Sequence, residues 1–236
     1  MHGRKSGLQD LFKTCGKIGS MAAATAAVDT VSPPTKKEGF FMPRKVRQLE
    51  DGGIYHIYAR GNNRQEVFRG PEDFASYRQV MIEAKERYAF EIYHYCLMSN
   101  HLHLLIRVSQ GQDLPQLIHW IQLAYARYYK KKYRYVGHLF QGRFRSPKIP
   151  CESYYLQCGR YIERNPVKAG LVKEAAAYRY SSARFYVDGA SDELVTANLY
   201  YEGMGKSPLE RREAYRQFVS LDEPYTEMVD AILARV

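Results

Sequence analysis

The sequence lacks long apolar runs and is poor in cysteine: no eighteen consecutive residues are apolar, and only four of its 236 residues are Cys. A transmembrane helix needs roughly 20 apolar residues, so we expect no contact with a membrane. The cysteines form no Cys-x-x-Cys pair and are too few to indicate a zinc ribbon or a disulfide framework. Reduced thiols and the lack of a strong export signal predict a cytoplasmic protein.

Acidic residues are absent from residues 127–148, in a chain that has 35 Lys and Arg against 25 Asp and Glu. Tyrosine and phenylalanine are interleaved with the cations of this segment. Cations neutralise phosphates and rings stack on bases, so the segment predicts a surface for nucleic acid. The alternative is a solvated helix end and loop. The candidate DNA-binding residues are Arg127, Lys130, Lys131, Lys132, Arg134, Arg143, Arg145 and Lys148.

The chain divides into three parts by composition and periodicity. Residues 1–41 show no sustained helical or strand period, so we expect a flexible N-terminal tail. Residues 42–190 are expected to form the folded domain, and residues 191–236 a C-terminal helical extension.

Hydrophobic periodicity predicts a strand, a helix, a hairpin of two strands, a long helix and a final strand. The expected ranges are 54–62, 71–88, 90–98 with 101–108, a helix from 114 onward, and 140–149. This order reproduces most of the ferredoxin-like (RRM-like) unit. We therefore expect an α+β fold with an antiparallel sheet and helices on one face. A later helix at 152–165 should stop at Pro166.

Two imidazoles, His101 and His103, lie one residue apart within a short apolar run. Side chains alternate along a strand, so both rings point to one face and can converge on a small cation. The alternative is a pair of core histidines satisfied by hydrogen bonds, and the pair alone does not decide between the two. His56 in the first strand could face the pair, but packing in the core is the favoured interpretation.

Tyr161 and Asn165 lie one helical turn apart on the same face of the later helix. An amide oxygen and two imidazoles are suitable ligands for a divalent metal, and a nearby cation favours the phenolate over the phenol. The predicted reaction is attack by tyrosine on a phosphodiester, which gives a covalent phosphotyrosine. Tyr154 and Tyr155 are rival nucleophiles, but the pairing with Asn165 favours Tyr161.

Four segments in a fixed order carry a family resemblance: SNHLHLL at 99–105, GHLFQGRF at 137–144, RYIERNPVKAGLV at 160–172 and YSS at 180–182. Together they resemble the single-tyrosine HUH transposases (IS200-like transposases), and specifically their REP-associated tyrosine transposase branch. The resemblance implies an HUH motif on a central strand and the nucleophile on a following helix.

The resemblance also implies an activity, which is that of a single-stranded DNA endonuclease and strand transferase at hairpin-forming repeats. The reaction would pass through a 5′-phosphotyrosine and a free 3′-hydroxyl, with Tyr161 as the nucleophile. Mg²⁺ or Mn²⁺ would be held by His101, His103 and Asn165, although related transposases have a glutamine at the last position. A monomer is favoured over a dimer. The alternatives are a non-catalytic DNA or RNA hairpin-binding protein and a hydrolytic metallonuclease on the same fold.

Overall fold

The structure, a computed structural model, describes residues 49–221. The predicted tail at residues 1–41 and the last part of the predicted C-terminal extension lie outside the described residues. The three-part division of the chain therefore stays a prediction.

The sheet has three antiparallel strands, β1 (Ile54–Arg60), β2 (Phe90–Met98) and β3 (His101–Val108), in the order β1-β3-β2. Aromatic and branched aliphatic side chains, which suit a pleated surface, are frequent in all three. The two residues between β2 and β3 close the hairpin that the sequence predicts. As a result β3 is the central strand, paired on both sides.

The described residues contain six α-helices: α1 (Pro71–Arg87), α2 (Leu114–Tyr133), α3 (Glu152–Lys168), α4 (Ala183–Asp188), α5 (Leu199–Glu202) and α6 (Pro208–Ser220). The start of α1 is set by Pro71 in the first turn and by the Asp73 carboxylate, which accepts hydrogen bonds from the main-chain N–H groups of Arg69 and Gly70. These features satisfy donors that a helix start leaves without partners.

The alternation of side chains along β3 divides the core between the two faces of the sheet. Leu102, Leu104 and Ile106 share a hydrophobic cluster with residues of α1 and α2. Leu105 points the other way, into a second cluster that includes Tyr155 of α3. The α+β class with an antiparallel sheet is confirmed. The expectation of helices on one face holds only for α1 and α2, because α3 covers the opposite face.

Residues 140–149, predicted as the final strand, form no regular strand. They run antiparallel to β1 and pair with it only at isolated points, among them Tyr58 with Arg145. The main chain of these two residues exchanges two hydrogen bonds, at 3.0 and 2.9 Å. Gly142 at φ +59° and Pro147, which has no N–H to donate, interrupt the regular ladder.

Helix α3 continues through Pro166 to Lys168, so the prediction that the proline ends the helix is wrong. Pro166 has no N–H for the carbonyl of Ile162, four residues earlier. The side-chain amide of Asn165 lies 3.4 Å from that carbonyl and compensates in part. The N–H of Ala169 then donates to the Asn165 carbonyl at 2.9 Å, which closes the last turn.

Candidate metal and nucleophile site

Two imidazoles of the central strand lie side by side on the face that α3 covers. The ring centroids of His101 and His103 are 5.2 Å apart, with their planes at 89°. Tyr58 of β1 lies opposite His103 in the strand register, and their ring centroids are 4.9 Å apart. His103 is buried and His101 is partly exposed. The site is therefore open to solvent on the His101 side.

Helix α3 brings Tyr161 and Asn165 to the same place. The ring of Tyr161 meets the ring of His103 edge-on, with centroids 5.5 Å apart. The Asn165 side chain lies within hydrogen-bonding reach of His101. Because the Asn165 amide N–H group donates to the Tyr161 carbonyl at 2.8 Å, the amide oxygen is the atom that faces His101. The structure thus brings together the four residues that the sequence proposes as ligands and nucleophile.

The Nδ1 atom of each imidazole in the pair is engaged by a neighbour. Nδ1 of His101 lies 2.7 Å from Oδ1 of Asn100, and Nδ1 of His103 lies 2.9 Å from Nε2 of His56. His56 is fully buried, and its ring stacks on that of His103 at 5.1 Å. His56 therefore packs in the core and contacts the pair at the same time. The Nε2 atoms of His101 and His103 are the nitrogens left for another ligand.

Burial favours the neutral form of these histidines. Desolvation lowers the pKa of His56 to about 3. Desolvation, together with the neighbouring His56 and His101, lowers the pKa of His103 well below its ordinary value. Desolvation also lowers the pKa of His101; the Asn165 hydrogen bond raises it, and the charge of Arg60 lowers it further. A neutral imidazole keeps a lone pair that a cation can use.

The donor set fits a divalent metal that takes nitrogen and oxygen ligands. Two Nε2 atoms and the amide oxygen of Asn165 could hold the ion and leave positions for water and substrate. Residues 49–221 contain no cluster of three or more His, Cys, Asp or Glu arranged to hold a metal. An ion at this site would therefore rely on the amide oxygen as its third protein ligand.

Tyr154 and Tyr155, the rival nucleophiles, are turned into the core. Both are buried, and their hydroxyl groups have no hydrogen-bond partner among the described residues. Burial raises the pKa of both phenols. The ring of Tyr155 contacts that of His94 at 6.0 Å, and within residues 49–221 no ring contact joins either tyrosine to the histidine pair. Tyr161 does have such a contact.

A buried carboxylate anchors α3 behind the site. Glu163 is fully buried and accepts three hydrogen bonds, from Nδ1 of His94 at 2.9 Å, Oγ of Ser182 at 2.6 Å and the hydroxyl of Tyr215 at 2.7 Å. Its partners come from β2, from the residue before α4, and from α6. Gly159 packs against His94 so closely that a Cβ there would lie 2.7 Å from Nε2. The sequence carried no signal for this network, because a glutamate in an amphipathic helix ordinarily faces solvent.

Two cations outside residues 127–148 lie beside the proposed reacting groups. Arg60 is opposite His101 in the register of β1 and β3, and its guanidinium donates to Oε1 of Gln141 at 3.1 and 2.9 Å. The Lys168 ammonium lies 6.0 Å from the ring centroid of Tyr161. Positive charge at this distance favours a phenolate or a phosphate. Sequence reasoning missed both, since only strand pairing and helix position bring them to the site.

The predicted basic surface is smaller than the sequence implies. Lys132 binds Asp73 and Glu72, each at 2.8 Å, and Lys148 forms an ion pair with Glu50. Acids from other parts of the chain thus balance two of the cations. Arg145 is half-buried beside β1. The remaining five are exposed, and no acidic partner is found for them within residues 49–221: Arg127, Lys130, Lys131, Arg134 and Arg143.

The comparisons with known proteins agree on one resemblance, to the transposases of the IS200-like kind. Residues 51–165 match the family model described as Transposase IS200 like. A Haemophilus influenzae protein that carries the name of a REP-associated tyrosine transposase is 27% identical over 173 residues, which cover 69% of this chain and 93% of that protein. The predicted resemblance to the REP-associated tyrosine transposases is therefore confirmed.

A solved structure resembles this chain at the level of fold. It is described as a REP-associated tyrosine transposase bound to a REP hairpin, and it aligns with a TM-score of 0.55 at 21% identity. The alignment covers 67% of this chain and 93% of that one.

In the part of the chain that the structure describes, no helix combines the length and the apolar character needed to span a membrane.

Proposed function

We propose that the protein is a metal-dependent single-stranded DNA endonuclease and strand transferase that acts through a 5′-phosphotyrosine at hairpin-forming repeats. One observation carries the proposal: the pair His101 and His103 and the pair Tyr161 and Asn165, about sixty residues apart in the sequence, converge at one place in the structure. Core packing alone gives no reason for an amide oxygen and a phenol to meet two neutral imidazoles.

The arrangement of the sheet supports the finer fold assignment. Residues 140–149 lie beside β1, on the side away from β3. With this irregular segment counted as a fourth strand, the order is that of the ferredoxin-like unit, with the HUH motif on the central strand β3. Helix α3 follows as the carrier of the nucleophile.

In the proposed reaction the phenolate oxygen of Tyr161 attacks the phosphorus of the scissile phosphodiester. The bond from phosphorus to the 3′-oxygen breaks, and the leaving 3′-oxygen takes a proton from water to become a hydroxyl, while the 5′-phosphate stays on the tyrosine. Joining is the reverse step, in which a 3′-hydroxyl attacks the phosphotyrosine and releases the phenol. Mg²⁺ or Mn²⁺ held by His101, His103 and Asn165 would polarise the phosphate.

The chain's own cations assist in positioning the strand. Arg60 lies beside His101, where its guanidinium can contact a phosphate. The five exposed cations Arg127, Lys130, Lys131, Arg134 and Arg143 would neutralise the rest of the backbone. The solved relative bound to a REP hairpin supports a folded single strand as the partner. We expect the protein to act as a monomer.

The test is covalent capture of labelled DNA. Hairpin oligonucleotides from repeats flanking the gene, labelled at either end, are incubated with protein and Mg²⁺, Mn²⁺ or EDTA and run on a denaturing protein gel. We expect the label to stay on the protein band only when it lies on the 5′-phosphate side of the cut and only with metal. Tyr161→Phe and His101→Ala should abolish the adduct, and Tyr154→Phe, the matched control, should retain it.

The rival functions give different patterns in the same experiment. Cleavage without an adduct, unaffected by Tyr161→Phe, would identify a hydrolytic metallonuclease. Tight hairpin binding that persists in EDTA, with neither cleavage nor adduct, would identify a non-catalytic binding protein.

A further inference from the structure

Both histidines of the proposed metal site have their Nδ1 atoms engaged by a neighbouring side chain. For His101 the partner is Oδ1 of Asn100, at 2.7 Å, and for His103 it is Nε2 of His56, at 2.9 Å. A neutral imidazole carries its proton on one nitrogen only, and the hydrogen bond of the other nitrogen decides which. These two contacts therefore govern which nitrogen of each ring keeps a lone pair.

The contact with Asn100 runs in one direction. An amide oxygen can only accept, so the 2.7 Å contact with Asn100 favours the proton on Nδ1 of His101 over donation from Nε2 to the Asn165 oxygen. The amide nitrogen of Asn100 faces the main-chain carbonyl of Arg64 at 3.5 Å, which turns the oxygen toward His101. The carbonyl of Asn100 also accepts from the N–H of Gly61 at 2.8 Å, so the residue is tied to the end of β1. The lone pair on Nε2 of His101 then faces Asn165.

The contact between His56 and His103 can run in either direction. If His103 donates, its Nε2 keeps a lone pair for a cation; if His56 donates, that Nε2 becomes an N–H group, which repels a cation. The strand pairing holds His56 in place, since its main-chain N–H donates to the carbonyl of Pro147 at 3.0 Å and its side chain is fully buried. Only the first arrangement lets a bound ion satisfy His103 Nε2. It puts the proton of His56 on Nδ1, which is buried without a hydrogen-bond partner among the described residues, so the metal-free tautomer tests whether the site is preorganised for the ion at this cost.

We propose that Asn100 and His56 are positioning residues, which hold His101 and His103 as Nδ1–H tautomers so that both Nε2 lone pairs face one cation. Histidine ligands of metals ordinarily donate their second N–H to a carboxylate or a carbonyl, which orients the ring. Here Asn100 accepts the N–H of His101, and His56 accepts the N–H of His103. The inference rests on the proposed function for its purpose, but the tautomers can be measured without metal or DNA.

The first experiment reads the tautomers directly. Long-range ¹H–¹⁵N correlation spectra of metal-free protein labelled with ¹⁵N-histidine show which nitrogen of each ring is protonated. We expect Nδ1–H for both His101 and His103 in the wild type. His56→Leu should move the proton of His103 to Nε2 and leave His101 unchanged, whereas Asn100→Ala should do the reverse. Each variant is thus the control for the other, because a general loss of structure would disturb both rings.

The second experiment measures Mn²⁺ affinity, by the electron paramagnetic resonance signal of the free ion. Loss of an outer partner of a metal-bound histidine typically weakens metal binding by about 10–100-fold, and we expect that loss for His56→Leu. His56→Gln should restore affinity close to wild type, because its Oε1 can accept the N–H of His103. If His56 had only a structural role, His56→Gln would not restore the Mn²⁺ affinity that His56→Leu loses.

The proposal is overturned if His103 carries its proton on Nε2 in the wild type, or if His56→Leu leaves both the tautomer and the Mn²⁺ affinity unchanged. Failure of the proposed function looks different. If the wild type binds no Mn²⁺ but the tautomers respond as expected, the metal site is wrong and the positioning by Asn100 and His56 stands.

Discussion

The side-chain amide of Asn165 donates a hydrogen bond to the main-chain carbonyl of Tyr161, one turn earlier in α3, at 2.8 Å. The same amide lies 3.4 Å from the Ile162 carbonyl, which has no helical donor because Pro166 lacks an N–H. The backbone of the proposed nucleophile thereby orients the proposed third ligand. Because Pro166 cannot donate to the Ile162 carbonyl, that carbonyl is available to the Asn165 side-chain amide.

Replacement of Asn165 by aspartate separates orientation from charge. A carboxylate adds negative charge, which by itself would strengthen metal binding, but it has no N–H to donate to the Tyr161 and Ile162 carbonyls. We expect Asn165→Asp to bind Mn²⁺ more weakly than the wild type in a titration of the free ion. Tyr161→Phe, which keeps the same backbone carbonyl, is the control and should bind Mn²⁺ normally. Tighter Mn²⁺ binding by Asn165→Asp would contradict the role of the amide N–H group in orienting the ligand oxygen.

The orphan hydroxyls of Tyr154 and Tyr155 predict stabilisation on their removal. A buried hydroxyl without a partner costs about 1–3 kcal/mol, so each change to Phe should raise the free energy of unfolding by about 1 kcal/mol, or the Tm by about 2–4 °C. Tyr186→Phe is the matched control, because its buried hydroxyl donates to the Tyr93 carbonyl at 2.6 Å. Its Tm should fall, and a fall in the Tyr154 and Tyr155 variants as well would show that their hydroxyls have partners.

The buried carboxylate of Glu163 predicts a large loss of stability. Glu163→Ala leaves the donors of His94 and Tyr215 without this acceptor, and Ser182 with only the Tyr95 carbonyl at 3.3 Å. Removal of one member of a buried charged network costs about 3–5 kcal/mol. Urea unfolding should show this loss. Tyr215→Phe removes a single donor and should cost about 1–3 kcal/mol. Equal losses in the two variants would mean that the carboxylate holds only Tyr215.

The ion pairs of the basic segment predict unequal contributions to DNA binding. Lys131 is exposed with no acidic partner among the described residues, whereas Lys148 is paired with Glu50. Each phosphate contact on a single strand contributes about 0.7 to the slope of log K against log salt. Lys131→Ala should reduce the slope by about that amount, and Lys148→Ala by less. Equal reductions would show that the pair with Glu50 opens when DNA binds.

The carboxyl of Asp73 predicts a loss of stability in acid. Burial raises its pKa, but hydrogen bonds from Lys132, Tyr133 and the main-chain N–H groups of Arg69 and Gly70 outweigh this effect and hold the pKa below its ordinary value. The unfolded chain therefore takes up the proton first, so the stabilisation is present above about pH 4 and is lost as the pH falls below it. The Tm of Asp73→Asn should be lower at neutral pH and should change less on acidification; an unchanged acid response would exclude Asp73 as its source.

Several elements could be predicted from local sequence alone. The range of β2 is the predicted one and α1 ends within a residue of its predicted end, because periodicity, an N-terminal proline and a two-residue turn act over a few residues. The alternation that puts His101 and His103 on one face is equally local. The fold class and the family resemblance followed from this order of elements and motifs.

Elsewhere the same reasoning failed, because contacts between distant parts of the chain determine the local structure. Residues 140–149 have strand-like composition, yet Gly142 and Pro147 leave them paired with β1 only at intervals. Lys132 and Lys148 look unbalanced in the sequence, but their acids come from α1 and from the residues before β1. Pro166 was expected to stop α3, and a side-chain amide allows the helix to continue.

The sequence by itself determined the three strands of the sheet, the main helices, the one-sided histidine pair and the kind of chemistry that these residue types support, since each depends on neighbours within a few positions. The tertiary structure alone decided that α3 covers the face of the sheet opposite α1 and α2. It also decided that the buried Glu163 accepts three hydrogen bonds, and that Asn100 and His56 form hydrogen bonds with the two imidazoles. These features depend on how separate elements pack, and packing satisfies buried polar groups with partners that no local pattern identifies.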